Sequence, residues 1–347
     1  MPIIQNLIAD QFGSHIGKYG GRLKITKAKE VLAQAPLLHL ETVTLASNGV
    51  SISADAIRAC TEIGVPIHFL SGTGTPYASL YSAGLIGTVI TRRAQLAAYP
   101  TLQAIDLAAA IAVGKIENQA ALLKYAAKYR KTTAPALYDE LRLLMLEVRD
   151  HLGELDGWQQ AAHYDNNSLD EMRGRLLSIE GRAAKTYWRG IGLLLPTDLN
   201  WPSRRGRSAR DPFNSSLNYG YGILYSQIER ALVLAGLDPY GGFVHVDRPG
   251  KPSLVLDFIE PFRTPVVDRT VLGMVNKGMA IEQDERGFLT QKTRRRLAEK
   301  ILGRLESKEK YNNKRMPLRV IIQQQARQLA TYLRGERGSF EPFLARW

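Results

Sequence analysis

Residues 211–263 read DPFNSSLNYGYGILYSQIERALVLAGLDPYGGFVHVDRPGKPSLVLDFIEPFR, and the rest of the chain is organised around this stretch. Its first half predicts a helix that starts at Asp211 or Asn214, because both residue types cap helix N-termini. The helix is predicted to run through Ala235 and to end at Gly236, since glycine adopts the left-handed conformation that closes a helix. A Gly-Gly turn follows. The stretch therefore predicts helical structure at the centre of the chain.

The second half of the stretch carries three side chains that can bind a metal ion: His245, Asp257 and Glu260. The i,i+3 spacing of the two acids places both on one face if the segment is helical, although Pro261 disturbs a simple helix. A third acid, Glu180, lies upstream among apolar residues in LLSIEGRAAKTYWRGI. Because an unpartnered buried glutamate is costly, this position favours a metal ion or an arginine as partner. One histidine and two or three carboxylates predict a site for Mg²⁺ or Mn²⁺.

Each candidate ligand also has a structural alternative. Glu180 could cap a helix or form an ion pair, His245 could be a core histidine, and the other two acids could face solvent. No H-E-x-x-H zinc motif, Walker A motif, dinucleotide fingerprint, G-x-S-x-G or kinase motif set occurs. The cluster therefore favours phosphodiester chemistry, in which carboxylate-bound divalent metals activate a nucleophile and stabilise the leaving oxygen.

The composition is that of a globular chain with a polyanionic partner. The 347 residues, 45% hydrophobic and 23% charged, predict two domains. The N-terminus lacks the features of a signal peptide, and no apolar run reaches the ~18 residues of a membrane span. A single cysteine, Cys60, excludes an internal disulfide and a Cys-based zinc site. We therefore expect a cytoplasmic protein with no membrane partner.

The basic charge is concentrated toward the C-terminus. The formal net charge is +13. Residues 1–90 hold six Lys/Arg and five Asp/Glu, whereas residues 291–347 hold fifteen Lys/Arg and five acids. Such a concentrated surplus favours a nucleic-acid partner.

Two basic segments are candidates for phosphate contacts. The segment WPSRRGRSARDPFN contains Arg204, Arg205, Arg207 and Arg210 with the Pro, Gly and Ser of a flexible loop. It is either a clamp that orders on a phosphate backbone or a solvated loop, and the sequence leaves both open. The segment KYAAKYRK at residues 124–131 could follow a phosphate backbone, although a solvated helix face is the simpler interpretation.

The hydrophobic pattern predicts an α+β protein with a small β-rich N-terminal domain and a larger all-α domain. Residues 1–90 contain short β-branched runs between glycine-rich turns, with one helix at residues 53–64. His68 is predicted to be a packed strand residue. From residue 91 to 347 the period is helical, with a loop at residues 153–168 and a helix in TRRRLAEKILGRLESKEK.

Several ordered motifs resemble one known family. They are I-E-x-R-A-A around Glu180, D-P-x-N-x-x-L-N-Y-G-Y from Asp211, G-L-D-P-Y-x-G-x-x-H up to His245, and S-L-V-L-D-x-x-E-P-F-R. Glu180 and His245 are 65 residues apart, and His245 and Glu260 are 15 residues apart. These motifs and spacings resemble those of Cas family one. That family contains the CRISPR-associated endonuclease/integrase that acts in adaptation. The resemblance covers nearly the whole chain.

The resemblance implies a fold, an activity and roles for individual residues. Glu180, His245 and Glu260 fall on the family's metal-ligand positions, and Asp257 matches a neighbouring catalytic acid. Arg248 and Arg263 fall where basic residues lie near the active site. The implied activity is insertion of foreign DNA into the CRISPR array by attack of a 3′-hydroxyl on a repeat phosphodiester, with Mg²⁺ or Mn²⁺.

The resemblance also implies partners. The β-rich domain would form a homodimer, and two such dimers would bind a dimer of the second Cas adaptation protein as a heterohexamer. Double-stranded and branched DNA would be the substrates. A transposon-type integrase with the same site and a non-catalytic nucleic-acid-binding protein are the alternatives.

Overall fold

A computed structural model describes residues 4–82, 89–206 and 209–347. These residues form two compact units that do not follow chain order. The described residues of one unit fall within 1–86, 207–226 and 281–298, and those of the other within 87–206, 227–280 and 299–347. We call them the strand-rich unit and the helical unit.

The strand-rich unit contains two four-stranded sheets and one helix. Its strands are β1 (Asn6–Ala9), β2 (His15–Tyr19), β3 (Arg22–Lys27), β4 (Glu30–Pro36), β5 (Thr42–Leu45), β6 (Ser51–Ile52), β7 (Ile67–Leu70) and β8 (Pro76–Leu80), and its helix is α1 (Ala54–Glu62). One sheet has the order β1-β5-β7-β8 and the other β4-β3-β2-β6. Both mix parallel and antiparallel pairs. The N-terminal region is thus strand-rich, as the sequence predicted.

The two sheets and α1 share one apolar core. Ile16 and Leu23 from one sheet, Val43 and Ile67 from the other, and Cys60 from α1 are each fully buried in it. Ser53 caps α1 by accepting a hydrogen bond from Ala56 N at 3.2 Å.

The prediction for His68 is confirmed. It lies on β7 with 1% exposure, and its Nδ1 is 3.0 Å from Ser79 Oγ on the paired strand β8. His68 is a packed residue of the sheet.

The rest of the chain is mainly helical. Its helices are α2 (Val89–Ala98), α3 (Leu102–Lys128), α4 (Pro135–Tyr164), α5 (Leu169–Leu193), α6 (Pro212–Leu234), α7 (Ser253–Phe258), α8 (Glu260–Phe262), α9 (Arg269–Val275), α10 (Gln291–Glu306) and α11 (Leu318–Leu333). A π-helical turn, Arg263–Asp268, joins α8 to α9. The first residues of α6 and α10 belong to the strand-rich unit and the remainder to the helical unit.

The helix predicted around Tyr219 is present as α6. Asp211 precedes it and accepts a hydrogen bond from Asn214 N at 2.8 Å, so the capping prediction is confirmed. At the other end Gly236 has a φ of 83°, which is the left-handed conformation expected at a helix C-terminus.

Two details of the predicted helical region are wrong. Most of residues 153–168 is not a loop, because α4 continues to Tyr164 with Leu155 and Trp158 buried on one face, and only residues 165–168 connect it to α5. The region is also not all-α. Strands β9 (Lys308–Tyr311) and β10 (Lys314–Pro317) form a hairpin, and β9 overlaps the last residues of the helix that was predicted to reach Lys310. Asn312 and Asn313 both have positive φ, the conformation required at the two central residues of a tight hairpin turn. They connect β9 to β10.

Within the described ranges, no single helix is long and apolar enough to cross a membrane. The bent pair α2 and α3, at 92° to each other, reaches the required length and composition only together.

Candidate active site

Two buried glutamates from distant parts of the chain meet around one lysine. Glu180 lies on α5 and Glu260 begins α8, and each is 5% exposed. Lys115, from α3, places its Nζ 3.6 Å from Glu180 Oε2 and 3.2 Å from Glu260 Oε2. On the other side of Glu260, Arg263 Nη1 lies 2.9 Å from Oε1. The acid pair is therefore neutralised by two basic residues of the same unit.

The three groups at the centre shift one another's pKa. Burial raises the pKa of Glu180, and Lys115 only partly opposes that rise. Burial acts in the same direction on Glu260, but Arg263 and Lys115 outweigh it and lower the pKa of Glu260 to about 2. Burial alone would lower the pKa of Lys115, whereas the two carboxylates raise it above its ordinary value. The site thus holds charged groups in a poorly solvated place.

Glu180 has unused binding capacity. Its Oε1 is buried and has no hydrogen-bond partner among the described residues, while Oε2 faces Lys115. Buried carboxylate oxygens are normally satisfied, because leaving one unpaired costs roughly 1–3 kcal/mol or more. An unpaired oxygen at this position is the kind of donor that a hard cation takes.

His245 is fixed by Asp257. The fully buried Asp257 accepts hydrogen bonds through Oδ1 from His245 N at 2.9 Å and through Oδ2 from Phe243 N and Val244 N at 2.6 and 3.0 Å. Its Oδ1 also lies 2.6 Å from His245 Nδ1. The carboxylate therefore orients the ring and leaves Nε2 as the nitrogen for a ligand.

Arg173 binds carbonyl oxygens of the loop that carries His245, residues 243–245. From α5 it donates to Val244 O at 3.0 Å and to Phe243 O at 3.2 Å, and it also binds Tyr99 Oη at 2.7 Å. Asp170 accepts a further bond from its guanidinium. Asp257 accepts hydrogen bonds from the backbone N–H groups of this loop, and Arg173 donates hydrogen bonds to its carbonyl oxygens. The position of His245 is therefore fixed from two directions.

Asn118 on α3 fastens the segment that carries Glu260. Its Nδ2 donates to Pro261 O at 2.7 Å and to Phe343 O at 2.8 Å, and its Oδ1 accepts from Ala345 N at 2.7 Å. One fully buried amide thus joins the turn after Glu260 to the end of the chain.

Residues 340–347 form a strap against this part of the helical unit. The Phe343 ring stacks on Phe262 with centroids 5.7 Å apart, and Phe340 lies 6.4 Å from Phe258. A side chain at Gly114 would place its Cβ 2.7 Å from Pro342 Cβ, so only glycine allows the strap to approach α3 this closely. We call residues 340–347 the C-terminal strap.

The predicted ligands are close together, but a lysine lies between two of them. His245 is near enough to contribute to the pKa of both Glu180 and Glu260. Within the described ranges, however, no group of three or more His, Cys, Asp or Glu side chains is arranged to hold a metal ion. The donor types and the unpaired Glu180 oxygen fit Mg²⁺ or Mn²⁺, provided that Lys115 moves aside.

The predicted basic residues have different surroundings. Arg263 pairs with Glu260, whereas Arg248 is exposed on the loop after His245. Arg204 lies 5.8 Å from the ring of Trp188, and Arg205 is exposed.

The remaining two arginines of the predicted loop are not in the described part of the helical unit. Arg210 belongs to the strand-rich unit, where its guanidinium lies 4.1 Å from the Phe288 ring. Arg207 lies outside the described residues.

Sequence reasoning missed Lys115, Asn118 and Arg173. The first two lie in IAVGKIENQAALL, an apolar pattern that reads as an ordinary core helix. A signal was present, because Lys115 is a single cation in the middle of that apolar run. Arg173 gave no comparable signal, since its partners lie about seventy residues away in sequence.

These features define a class of protein. A strand-rich unit is combined with a helical unit, and the helical unit buries two acids beside a histidine held by a third acid. A buried site of carboxylates and a histidine has the side-chain types that bind a hard divalent cation.

Comparison with known proteins identifies the family. Residues 7–302 match the family model described as CRISPR associated protein Cas1. The chain is 36% identical over 352 aligned positions to the CRISPR-associated endonuclease Cas1 1 of Archaeoglobus fulgidus, covering 98% of this chain and 99% of the relative. The chain therefore belongs to the Cas1 family, and the resemblance seen in the motifs is confirmed.

Solved structures share the fold. A casposase bound to integration product superimposes with a TM-score of 0.79 at 22% identity, covering 97% of this chain and 93% of that one. A chain of a Cas6-RT-Cas1–Cas2 complex gives 0.75 at 23% identity, covering 100% and 37%. At these identities the likeness establishes the fold.

Proposed function

We propose that the protein is a metal-dependent DNA endonuclease and integrase of CRISPR adaptation, which inserts DNA fragments into the CRISPR array. The observation that carries the proposal is the buried meeting of Glu180 and Glu260 beside His245, with one Glu180 oxygen unpaired. A purely structural pair of acids would be expected to have its oxygens satisfied. Membership of a family that includes named endonucleases supports the same conclusion.

Glu180, Glu260 and Nε2 of His245 would hold Mg²⁺ or Mn²⁺. When bound, such an ion supplies Lewis-acid stabilisation of the charge that develops on a phosphodiester. Asp257 orients His245 through its contact with Nδ1, so its contribution is to position a ligand. Arg263 lies close enough to the acid pair to contact a phosphate oxygen there.

The proposed partners follow from the charge and from the relatives. A net charge of +13 favours DNA, and Arg204, Arg205 and Arg248 of the helical unit would contact its phosphates. The structurally similar complex named above contains Cas2, which supports Cas2 as the partner of this chain. We further propose a homodimer that assembles with Cas2 as a heterohexamer on double-stranded or branched DNA.

A strand-transfer assay on branched DNA, with Mn²⁺ or with EDTA, tests the proposal. Replacing Glu260 or His245 by alanine should abolish the reaction. The Glu260→Ala variant should bind DNA in EDTA as tightly as the parent or more tightly, because the change removes negative charge. The control is Glu154→Ala, which removes an exposed acid from α4. Activity of the Glu260→Ala variant within tenfold of the parent would refute the assignment.

The same experiment separates the alternatives. A non-catalytic nucleic-acid-binding protein would bind DNA but show no metal-dependent reaction in the parent chain. A transposon-type integrase would react but prefer DNA ends other than a CRISPR repeat. The family match favours the CRISPR role.

A further inference from the structure

Lys115 is an unusual component of this site. It reaches the acid pair from α3, the central helix that also carries Gly114 and Asn118 beneath the Glu260 segment. Its side chain is only 18% exposed, and its Nζ lies within 4 Å of both glutamates. A long flexible cation is therefore held where a divalent cation would have to contact the same oxygens.

We infer that Lys115 is the internal counter-cation of the acid pair: it stabilises Glu180 and Glu260 in the metal-free protein and competes with the metal ion for them. This inference rests on the proposed metal site. Two cations cannot both lie between the same two carboxylates without strong repulsion, so metal binding requires the ammonium to withdraw from at least one of them. The lysine stem has four carbons and can make that movement without a change in the helix.

In this role Lys115 would allow the two buried acids to fold together before a metal ion binds. Two carboxylates at one buried site repel each other and lose hydration, and removing the cation between them is strongly unfavourable. Arg263 pairs with Glu260 through Oε1. Within the part of the chain that the structure describes, Glu180 pairs with one basic side chain, which is Lys115. Lys115 therefore matters most for Glu180.

The test uses the full-length chain and Mn²⁺ alone as the probe. Lys115→Met removes the charge at similar length, and Lys124→Met is the matched control, because Lys124 is exposed on the same helix. Mn²⁺ affinity is measured by calorimetric titration, and the unfolding temperature is measured with EDTA and with Mn²⁺. DNA is absent, so neither measurement depends on catalysis.

We expect Lys115→Met to bind Mn²⁺ about tenfold more tightly than the parent, since the competing cation is gone and the coupling between the two is reciprocal. Its unfolding temperature in EDTA should be lower than that of the parent, and Mn²⁺ should raise it more than it raises that of the parent. Lys124→Met should match the parent in both measurements. Affinity of Lys115→Met equal to or weaker than that of the parent would overturn the inference.

Two further outcomes separate this inference from the metal proposal. If the parent binds no Mn²⁺, or if binding is unchanged in His245→Ala, the metal site itself is wrong and the inference is overturned with it. If Lys115→Met does not fold, a crystal structure of the parent with Mn²⁺ decides the question. Withdrawal of Lys115 Nζ from either glutamate supports the inference, and an ammonium still within 4 Å of both refutes it.

Discussion

Replacing Asn118 by alanine should loosen the segment that carries Glu260. The substitution removes an amide that satisfies three backbone groups: the carbonyls of Pro261 and Phe343 and the N–H of Ala345. Asn118 is fully buried, so water cannot readily replace these bonds in the folded protein.

The expected destabilisation follows from those three bonds. Each buried group left unsatisfied costs roughly 1–3 kcal/mol, so Asn118→Ala should lower the free energy of unfolding by about 3 kcal/mol or more. An exposed substitution on the same helix, such as Lys124→Ala, should change it by less than about 0.5 kcal/mol. The comparison removes any general effect of alanine in α3.

Hydrogen exchange measured by mass spectrometry locates the effect. The Ala345 amide donates to Asn118 in the parent, so it should lose protection in the variant, together with the rest of the C-terminal strap. Urea denaturation measures the loss of stability. A loss below about 1 kcal/mol, or unchanged exchange in the strap, would refute the conclusion that Asn118 joins the strap to the active-site turn.

Two further substitutions test the structure at other points. Gly114→Ala should destabilise the protein by about 1–3 kcal/mol in urea denaturation, because the new Cβ would lie 2.7 Å from Pro342 Cβ. Gly153→Ala, in open space on α4, should instead stabilise the protein by about 0.5–1 kcal/mol. If both variants changed the free energy of unfolding equally, the close packing of Gly114 against Pro342 would be contradicted. Changing Arg204 and Arg205 to glutamate should weaken DNA binding for all sequences. Gel-shift titrations at two salt concentrations should show the log–log slope flattened by about one unit for each lost phosphate contact, and an unchanged slope would remove these residues from the DNA interface.

The sequence by itself determined the division into strand-rich and helical regions and the motif residues of the site. Periodicity of two and of 3.6 residues is a local property, so the strands near the N-terminus and helix α6 could be predicted without tertiary contacts. The motifs around Glu180, His245 and Glu260 identified the family for the same reason, since residue types and spacings are present in the chain itself.

Local signals also produced the errors. The polar residues after Gly153 suggested a loop, but one buried face with Leu155 and Trp158 is enough to continue α4 to Tyr164. The helical pattern up to Lys310 hid the β9–β10 hairpin, because strands of four residues carry too little periodicity to outweigh a neighbouring helix.

Only the tertiary structure showed how the site is built. Glu180, Glu260 and Lys115 come from three helices, and their contact depends on how those helices pack. Asn118 reaches the C-terminal strap across more than two hundred residues of sequence, a partner that no local pattern can predict. A hydrophobic pattern identifies the face of a helix that will be buried, but it does not identify what that face contacts.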